Sequence, residues 1–238
     1  MSVRLVGMER SVRRPRASGG IPLAVAPVET RVERKERTRR AILDATLDLC
    51  ADSSLVALSL RQVAKEVGIV PTAFYRHFDS VESLGLALVD ESFVSLRAML
   101  RDVRRPGRSA TFSEIVDGSV ETLLRHVRQK RSHFLFIARE RAAGPLSVRD
   151  AIRHEIELCE RELATDLARL PGPDRWTAED LRVLSNLIVT AMVSTAEQLL
   201  STGARPEAQQ SAEKEITETA RTQLRMVLIG ALNWEPRP

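Results

Sequence analysis

Between Pro71 and Phe78 the chain carries Thr72, Ala73, Tyr75, Arg76 and His77: a hydroxyl, a methyl, a phenol, a guanidinium and an imidazole. Duplex DNA has a use for each of them. A guanidinium can fork onto guanine, at about 1–3 kcal/mol of discrimination, and a methyl can pack on the thymine methyl. Hydroxyls and imidazoles donate to phosphate, which positions a protein without reading sequence. Thr72 is expected at a phosphate or a thymine methyl, and Tyr75 with its ring on sugar and its hydroxyl on phosphate. Arg76 either reads a guanine or pairs with Asp79; His77 either meets phosphate or packs as a satisfied imidazole. Ser59 and Arg61, earlier in the chain, are expected to hold the backbone.

Such a set works only if a rigid element presents it. Ser59, with Gln62 three residues on, has the spacing of a capping box. Leu60, Val63, Ala64 and Val67 then share one face of a two-turn helix. Gly68 is placed to stop that helix in a sharp turn, and Pro71 to open the next one, where its missing N–H costs nothing. Phe74 and Phe78, four apart, turn to the core. The spacing predicts a helix-turn-helix over Ser59–Phe78, although an ordinary helical hairpin has the same pattern.

Charge separates those two readings. Residues 1–88 hold 14 Lys and Arg against 10 Asp and Glu, whereas residues 89–238 hold 22 of each. The excess base of this +4 chain therefore lies wholly in the segment that would meet phosphate. Within it, residues 1–40 carry 11 basic against 4 acidic residues. Residues 1–32 read as a disordered basic arm, with prolines 15, 22 and 27 and Gly19-Gly20. A first helix follows, with Ile42, Leu43 and Leu47 buried and its N-terminal end against phosphate, where Thr38 and Arg39 are expected to bind an oxygen.

The rest reads as helix throughout, about nine in all, giving an all-α chain. A helix-turn-helix domain is expected over 33–80 and a helical effector-binding and dimerisation domain over 81–238. Asp79 and Glu82 have capping-box spacing ahead of a long helix broken at Pro106-Gly107. Later helices start near Ile115, Phe134 and Ala151, and Thr177 caps another with Asp180. Phe134–Ile137 is the one weak strand-like alternation. No apolar run approaches the roughly 18 residues of a membrane span. Cys50 and Cys159 form no CxxC pair and read as buried free thiols of a reducing cytosol. The last two helices carry Ala191, Ser194, Ala196 and Ala220 beside large aliphatics. Those stripes serve either a second copy or the chain's own core; two-fold pairing suits a helix-turn-helix, which then reads a pseudopalindrome.

These motifs together resemble the TetR family of transcriptional regulators. The carrying residues are Arg39–Ala45, Ser59–Ala64, Gly68-Ile69 and Phe74–Phe78. Val81 stands where many members have a phosphate-contacting lysine, so that contact does not transfer. Instead Pro71–Phe78, Val81, Leu84–Leu86 and Val89–Ser92 resemble the FabR- and DesT-like branch, which represses unsaturated fatty-acid synthesis and acyl-desaturase genes. Phe134–Gly144, with Arg139-Glu140-Arg141, is similar to a phrase of that branch's regulatory domain, except that Ala142-Ala143 replaces its serine.

The resemblance implies a cytoplasmic bacterial homodimer without cofactor, not bound to membrane, whose grip on double-stranded DNA is set by a hydrophobic effector such as long-chain acyl-CoA. Phe93, Met99, Phe134 and Met192 can surround an acyl chain, and equally can be ordinary core. Arg139 and Arg141 either meet thioester or phosphate groups or are solvated. An enzyme is disfavoured: His77, His126, His133 and His154 are scattered, and no HExxH, GxSxG or Walker loop is present. A helical adaptor without DNA affinity is the third class.

Overall fold

The computed structural model describes residues 30–103, 112–169, 176–202 and 206–235. Most of the expected arm and the breaks at Pro106-Gly107, Pro171–Pro173 and Gly203 lie outside the described residues. Those described form nine α-helices and one 3-10 turn, the all-α class expected.

Helix α1 (Arg31–Leu49) starts slightly earlier than its apolar pattern. Thr30 and Glu33 make a capping box there, each side chain taking the other's backbone N–H. The 3-10 turn Leu55–Ala57 follows, then α2 (Leu60–Val67) and α3 (Pro71–Phe74). Ser59 caps α2 by accepting from the Gln62 N–H. Gly68 ends it at φ 73°, with the Ile69 N–H returning to the Ala64 carbonyl at 2.9 Å, a Schellman-type stop.

Helix α4 (Val81–Val103) is capped differently from expectation. Ser80 and Ser83 exchange N–H···Oγ bonds of 3.0 and 3.1 Å, displacing Asp79–Glu82, because the first helical residue is Val81 and Ser80 therefore occupies the cap. Then come α5 (Phe112–Gln129), α6 (Arg131–Ala143), α7 (Leu146–Leu167), α8 (Ala178–Ser201) and α9 (Pro206–Leu232). Phe134–Ile137 is helical, since α6 buries Phe136 on one side and packs Phe134, Leu135 and Ala138 against a second cluster. Helix α7 begins ahead of Ala151, directly after the Gly144-Pro145 break. Thr177 and Asp180 cap α8 as expected.

The core under the helix-turn-helix does not stop at α3. Ile42, Val63, Phe74 and Phe78 share one cluster with Leu84, Leu88 and Phe93 of α4, Phe136 of α6, and Val148 and Ile152 of α7. A second cluster joins α4, α5, α6 and α8, and a third joins α5 to α9. Helix α8 corrects one expectation: by length and composition it is apolar enough to cross a membrane. Of its apolar window 33% is buried in the chain's own packing. Leu184, Ala196, Leu199 and Leu200 are buried, while Val183 and Leu187 are exposed.

Candidate nucleic-acid interface and effector cavity

The outer face of the turn presents Ser59, Arg61, Thr72, Tyr75 and Arg76, all exposed. Tyr75 is 55% exposed although its ring meets Phe74 edge-on at 6.1 Å, so the phenol is aimed outward by a buried neighbour. Pro71 at the first turn fixes the start of α3, and a further turn of backbone hydrogen bonds carries the chain to Phe78.

Four residues expected at DNA, Thr38, Arg39, Ala73 and His77, sit closer in and are partly buried. Arg39 lies 4.4 Å above the Phe78 ring and donates to the His77 carbonyl at 3.5 Å, so it pins the end of the recognition segment to α1. His77 is half-buried with Nδ1 unbonded among the described residues. Burial holds its pKa below the ordinary imidazole value, and Lys35, Arg39 and Arg76 push the same way. The same influences favour the neutral ring, a weaker phosphate partner than a charged imidazole. Ala73 is partly buried, and Thr38 donates to the Arg34 carbonyl at 2.9 Å within α1.

Behind this unit, α4–α9 enclose a cavity of about 470 Å³, within the usual range for small-molecule sites. Phe93, Met99, Phe134 and Met192, expected at an effector, all line it. So do Leu123 of α5, Cys159 and Leu163 of α7, Ile188 of α8 and Leu224 of α9, which motif reading did not single out. Their signal was only membership in apolar helical stripes.

Arg139 does not line the cavity. It donates from Nη1 to the Cys50 carbonyl at 2.5 Å and to that of Ser53 at 3.2 Å. Those carbonyls lie just past the C-terminus of α1, where the helix leaves them unpaired and the dipole favours a cation. Next to it Glu140, 0% exposed, accepts from the Leu55 N–H at 2.9 Å and from the Ser54 hydroxyl at 3.2 Å. The two residues thus clamp both sides of the 50–55 turn that leads into α2. Gly144 permits this: a Cβ there would lie 2.6 Å from the Glu140 carbonyl and 2.7 Å from its carboxylate. Burial, with the Glu140 charge adding to it, pushes the Cys50 thiol up to about 12.

Helix α6 is therefore two-faced. Phe134, Ile137, Ala138 and Arg141 look into the cavity, while Phe136, Arg139 and Glu140 hold the DNA-facing unit. A polar chain runs beside it: Arg40 on α1 meets Glu91 on α4 at 2.8 Å, and His133 on α6 bonds Ser92 at 3.1 Å with Glu91 3.6 Å away. Burial lowers the His133 pKa, Glu91 opposing and Lys130 and Arg40 reinforcing. Among the described residues no group of three or more His, Cys, Asp or Glu gathers as for a metal.

Of the small residues of α8 and α9, Ala191 packs on the third cluster and Ser194 is exposed. Ala196 and Ala220 are buried in the chain's own core, because they lie on the inward stripes with Leu199 and Leu224. Val183, Leu187, Met226, Ile229 and Leu232 are left exposed. The Trp234 indole N–H donates to Asp180 at 3.0 Å, tying the end of α9 to the start of α8.

Two family models match this chain. Residues 42–88 match "Bacterial regulatory proteins, tetR family", and residues 112–229 match "Tetracyclin repressor-like, C-terminal domain". Among solved structures it is similar to Salmonella enterica GusR, with 21% identity and TM-score 0.61 over 81% of this chain and 96% of that one. The fatty acid degradation regulator FadR from Bacillus halodurans gives 12% identity and TM-score 0.61, over 81% and 95%. AibR, solved with isovaleryl coenzyme A and operator DNA, gives 16% and 0.57, over 76% and 97%. At these identities the likeness is one of fold.

Proposed function

We infer that this chain, which belongs to the TetR family of bacterial regulatory proteins, represses genes of fatty-acid desaturation or lipid metabolism and releases DNA in response to a long-chain acyl thioester. As a member of the family it is a DNA-binding regulator with a ligand-binding C-terminal domain, and not an enzyme. The observation that carries the finer reading is the pair of faces on α6. A chain filling the cavity pushes on Phe134, Ile137 and Ala138, and the same rigid helix holds the 50–55 turn through Arg139 and Glu140. Movement of α6 re-aims α2 and α3.

The acyl assignment draws support from three directions. The cavity walls are almost wholly aliphatic and aromatic, and each methylene taken from water contributes about 0.8 kcal/mol. The phrases over residues 71–92 and 134–144 resemble the acyl-responsive branch. Two relatives of the same fold concern a fatty acid regulator and an acyl-CoA complex.

DNA contact is assigned to Ser59, Arg61, Thr72, Tyr75 and Arg76, with Arg39 and His77 shaping the segment from behind. The exposed apolar side chains of α8 and α9 are the surface for a second copy. Two recognition segments one helical turn, ~34 Å, apart then read a pseudopalindrome in the bacterial cytoplasm.

A regulator of another pathway, such as efflux, answering to an unrelated hydrophobic ligand would use the same cavity. Titrating the operator complex with saturated and unsaturated long-chain acyl-CoA separates the two. Release by one or both thioesters is expected. Equal DNA affinity with saturated, unsaturated and no thioester removes the acyl assignment and leaves the DNA-binding one standing.

A further inference from the structure

Along most of its length the cavity offers an effector no free hydrogen-bond donor. Helix α7 lines it from Ile156 to Leu167, a span of ~16 Å in which Cys159 and Leu163 are apolar and Asp166, near the far end, is an acceptor and not a donor. The Ser119 hydroxyl is the mid-wall exception, and its proton is committed to the Ile115 carbonyl at 2.7 Å. A head group that needs a donor finds none there.

Donors stand only toward the ends. Arg169 is one, but its side chain is 75% exposed and 3.8 Å from Asp166, so a head bound to it stays in water, where ion pairing contributes little. Arg141 is the other. It lies on α6, 39% exposed, and donates from Nη2 to Glu197 of α8 at 2.6 Å, both residues lining the cavity. A guanidinium has five N–H donors in a rigid plane, so this pairing fixes its direction while leaving donors for a second acceptor.

We propose, building on the acyl-effector reading, that Arg141 and Glu197 form the head-group end of the cavity. Arg141 donates to the carbonyl or carboxylate oxygen of a single-chain acyl amphiphile, Glu197 holds the guanidinium in place, and the tail runs past Phe134, Ile137 and Ala138 along α7 and α8. A cationic head is repelled, because Glu197 is already neutralised. This orientation puts the head two residues along α6 from the Arg139 clamp, so occupancy is sensed where the turn into α2 is held.

The test is calorimetric titration of the full chain with dodecanoate, dodecanoyl-CoA and dodecyltrimethylammonium. Arg141→Ala is expected to weaken acyl binding by roughly tenfold or more, and to tighten the quaternary ammonium, which then finds Glu197 unpaired. Arg141→Lys recovers part of the acyl affinity. Loss for the thioester alone identifies an acyl-CoA effector; loss for the carboxylate alone identifies a free acid. Unchanged thermal unfolding shows that the half-exposed Arg141 site has not cost the fold. Unchanged acyl affinity in Arg141→Ala overturns the head-group proposal, and the cavity reading survives if Met192→Trp still abolishes binding. A wild-type chain that binds none of the probes overturns both.

Discussion

Replacing Glu140 isolates the contact between cavity and DNA-facing unit. The carboxylate is fully buried and serves the Leu55 N–H and the Ser54 hydroxyl. Hydrogen bonds to an ionised group are worth about 1.5–3 kcal/mol each, and a buried donor left unpaired costs about 1–3 kcal/mol. Ser54 is half-buried and can turn to water, but Leu55 is 0% exposed and its amide has no substitute. Glu140→Ala is therefore expected to cost about 2–4 kcal/mol, a large share of a stability that is typically 5–15 kcal/mol. Glu140→Gln keeps an acceptor for Leu55 N–H, and the Ser54 hydroxyl can reverse to accept from the new amide. Its cost is expected near 1 kcal/mol.

Urea unfolding measures both costs, read as midpoint shifts at constant slope. Anisotropy of a labelled operator, with and without acyl-CoA, measures the coupling. Allosteric couplings of about 1–3 kcal/mol correspond to 5–150-fold changes in affinity. In Glu140→Ala, which breaks both contacts, that factor should shrink toward one, while Glu140→Gln, which keeps them, should retain most of it. If Glu140→Ala unfolds at the wild-type midpoint the clamp does not support the turn, and if it keeps the full effector response the clamp does not transmit through it.

Four further outcomes follow from named contacts. Arg61→Ala and Tyr75→Phe should weaken binding to all duplexes, Arg61→Ala with a shallower salt slope, while Arg76→Ala should relax one base pair per half-site by about 1–3 kcal/mol; an unchanged salt slope in Arg61→Ala refutes its phosphate role. Ile229→Asp, on the exposed face of α9, should halve the mass seen by light scattering from a dimer of the 26.5 kDa chain, with the helical signal intact. His133 has its pKa lowered by burial, so below its ordinary 6.5 the unfolded chain binds the proton that the folded chain refuses. Stability should thus fall as pH drops below 6.5, and His133→Gln should flatten the slope between pH 7.5 and 5.5; parallel slopes exclude this residue as a source. Cys50, pushed up to about 12, is on the order of 10⁻⁴ thiolate at pH 8, so iodoacetamide should label it only on unfolding.

The helix-turn-helix was legible because its stop and start signals are local. Ser59, Gly68 and Pro71 act through their own backbone geometry, and each sits in the structure where spacing placed it. The Thr30–Glu33 cap was missed because the first turns of α1 are charged and carry no apolar period to point at them. Ser80 displaced Asp79 because helix starts are decided by one residue of register, which periodicity does not resolve.

The cavity was legible in part. Phe93, Met99, Phe134 and Met192 could be named as large apolar residues, but six helices must converge before lining differs from core. Arg139 and Arg141 show the limit best. From sequence, Arg139 is the one expected among the effector-binding residues, with Arg141 beside it as a second candidate for a polar ligand group. Two residues apart on a helix they point to different faces, one onto the carbonyls of Cys50 and Ser53 and the other into the cavity beside Glu197. Only the packing of α6 between two neighbours assigns their tasks.

The most direct test of a DNA-binding regulator gated by an acyl effector is selection of bound duplexes from a random pool by the purified chain, with and without hexadecanoyl-CoA. The account predicts enrichment of a pseudopalindrome whose half-sites lie about one helical turn apart, and loss of that enrichment when the thioester is present. Failure to enrich any duplex at low salt would contradict it outright.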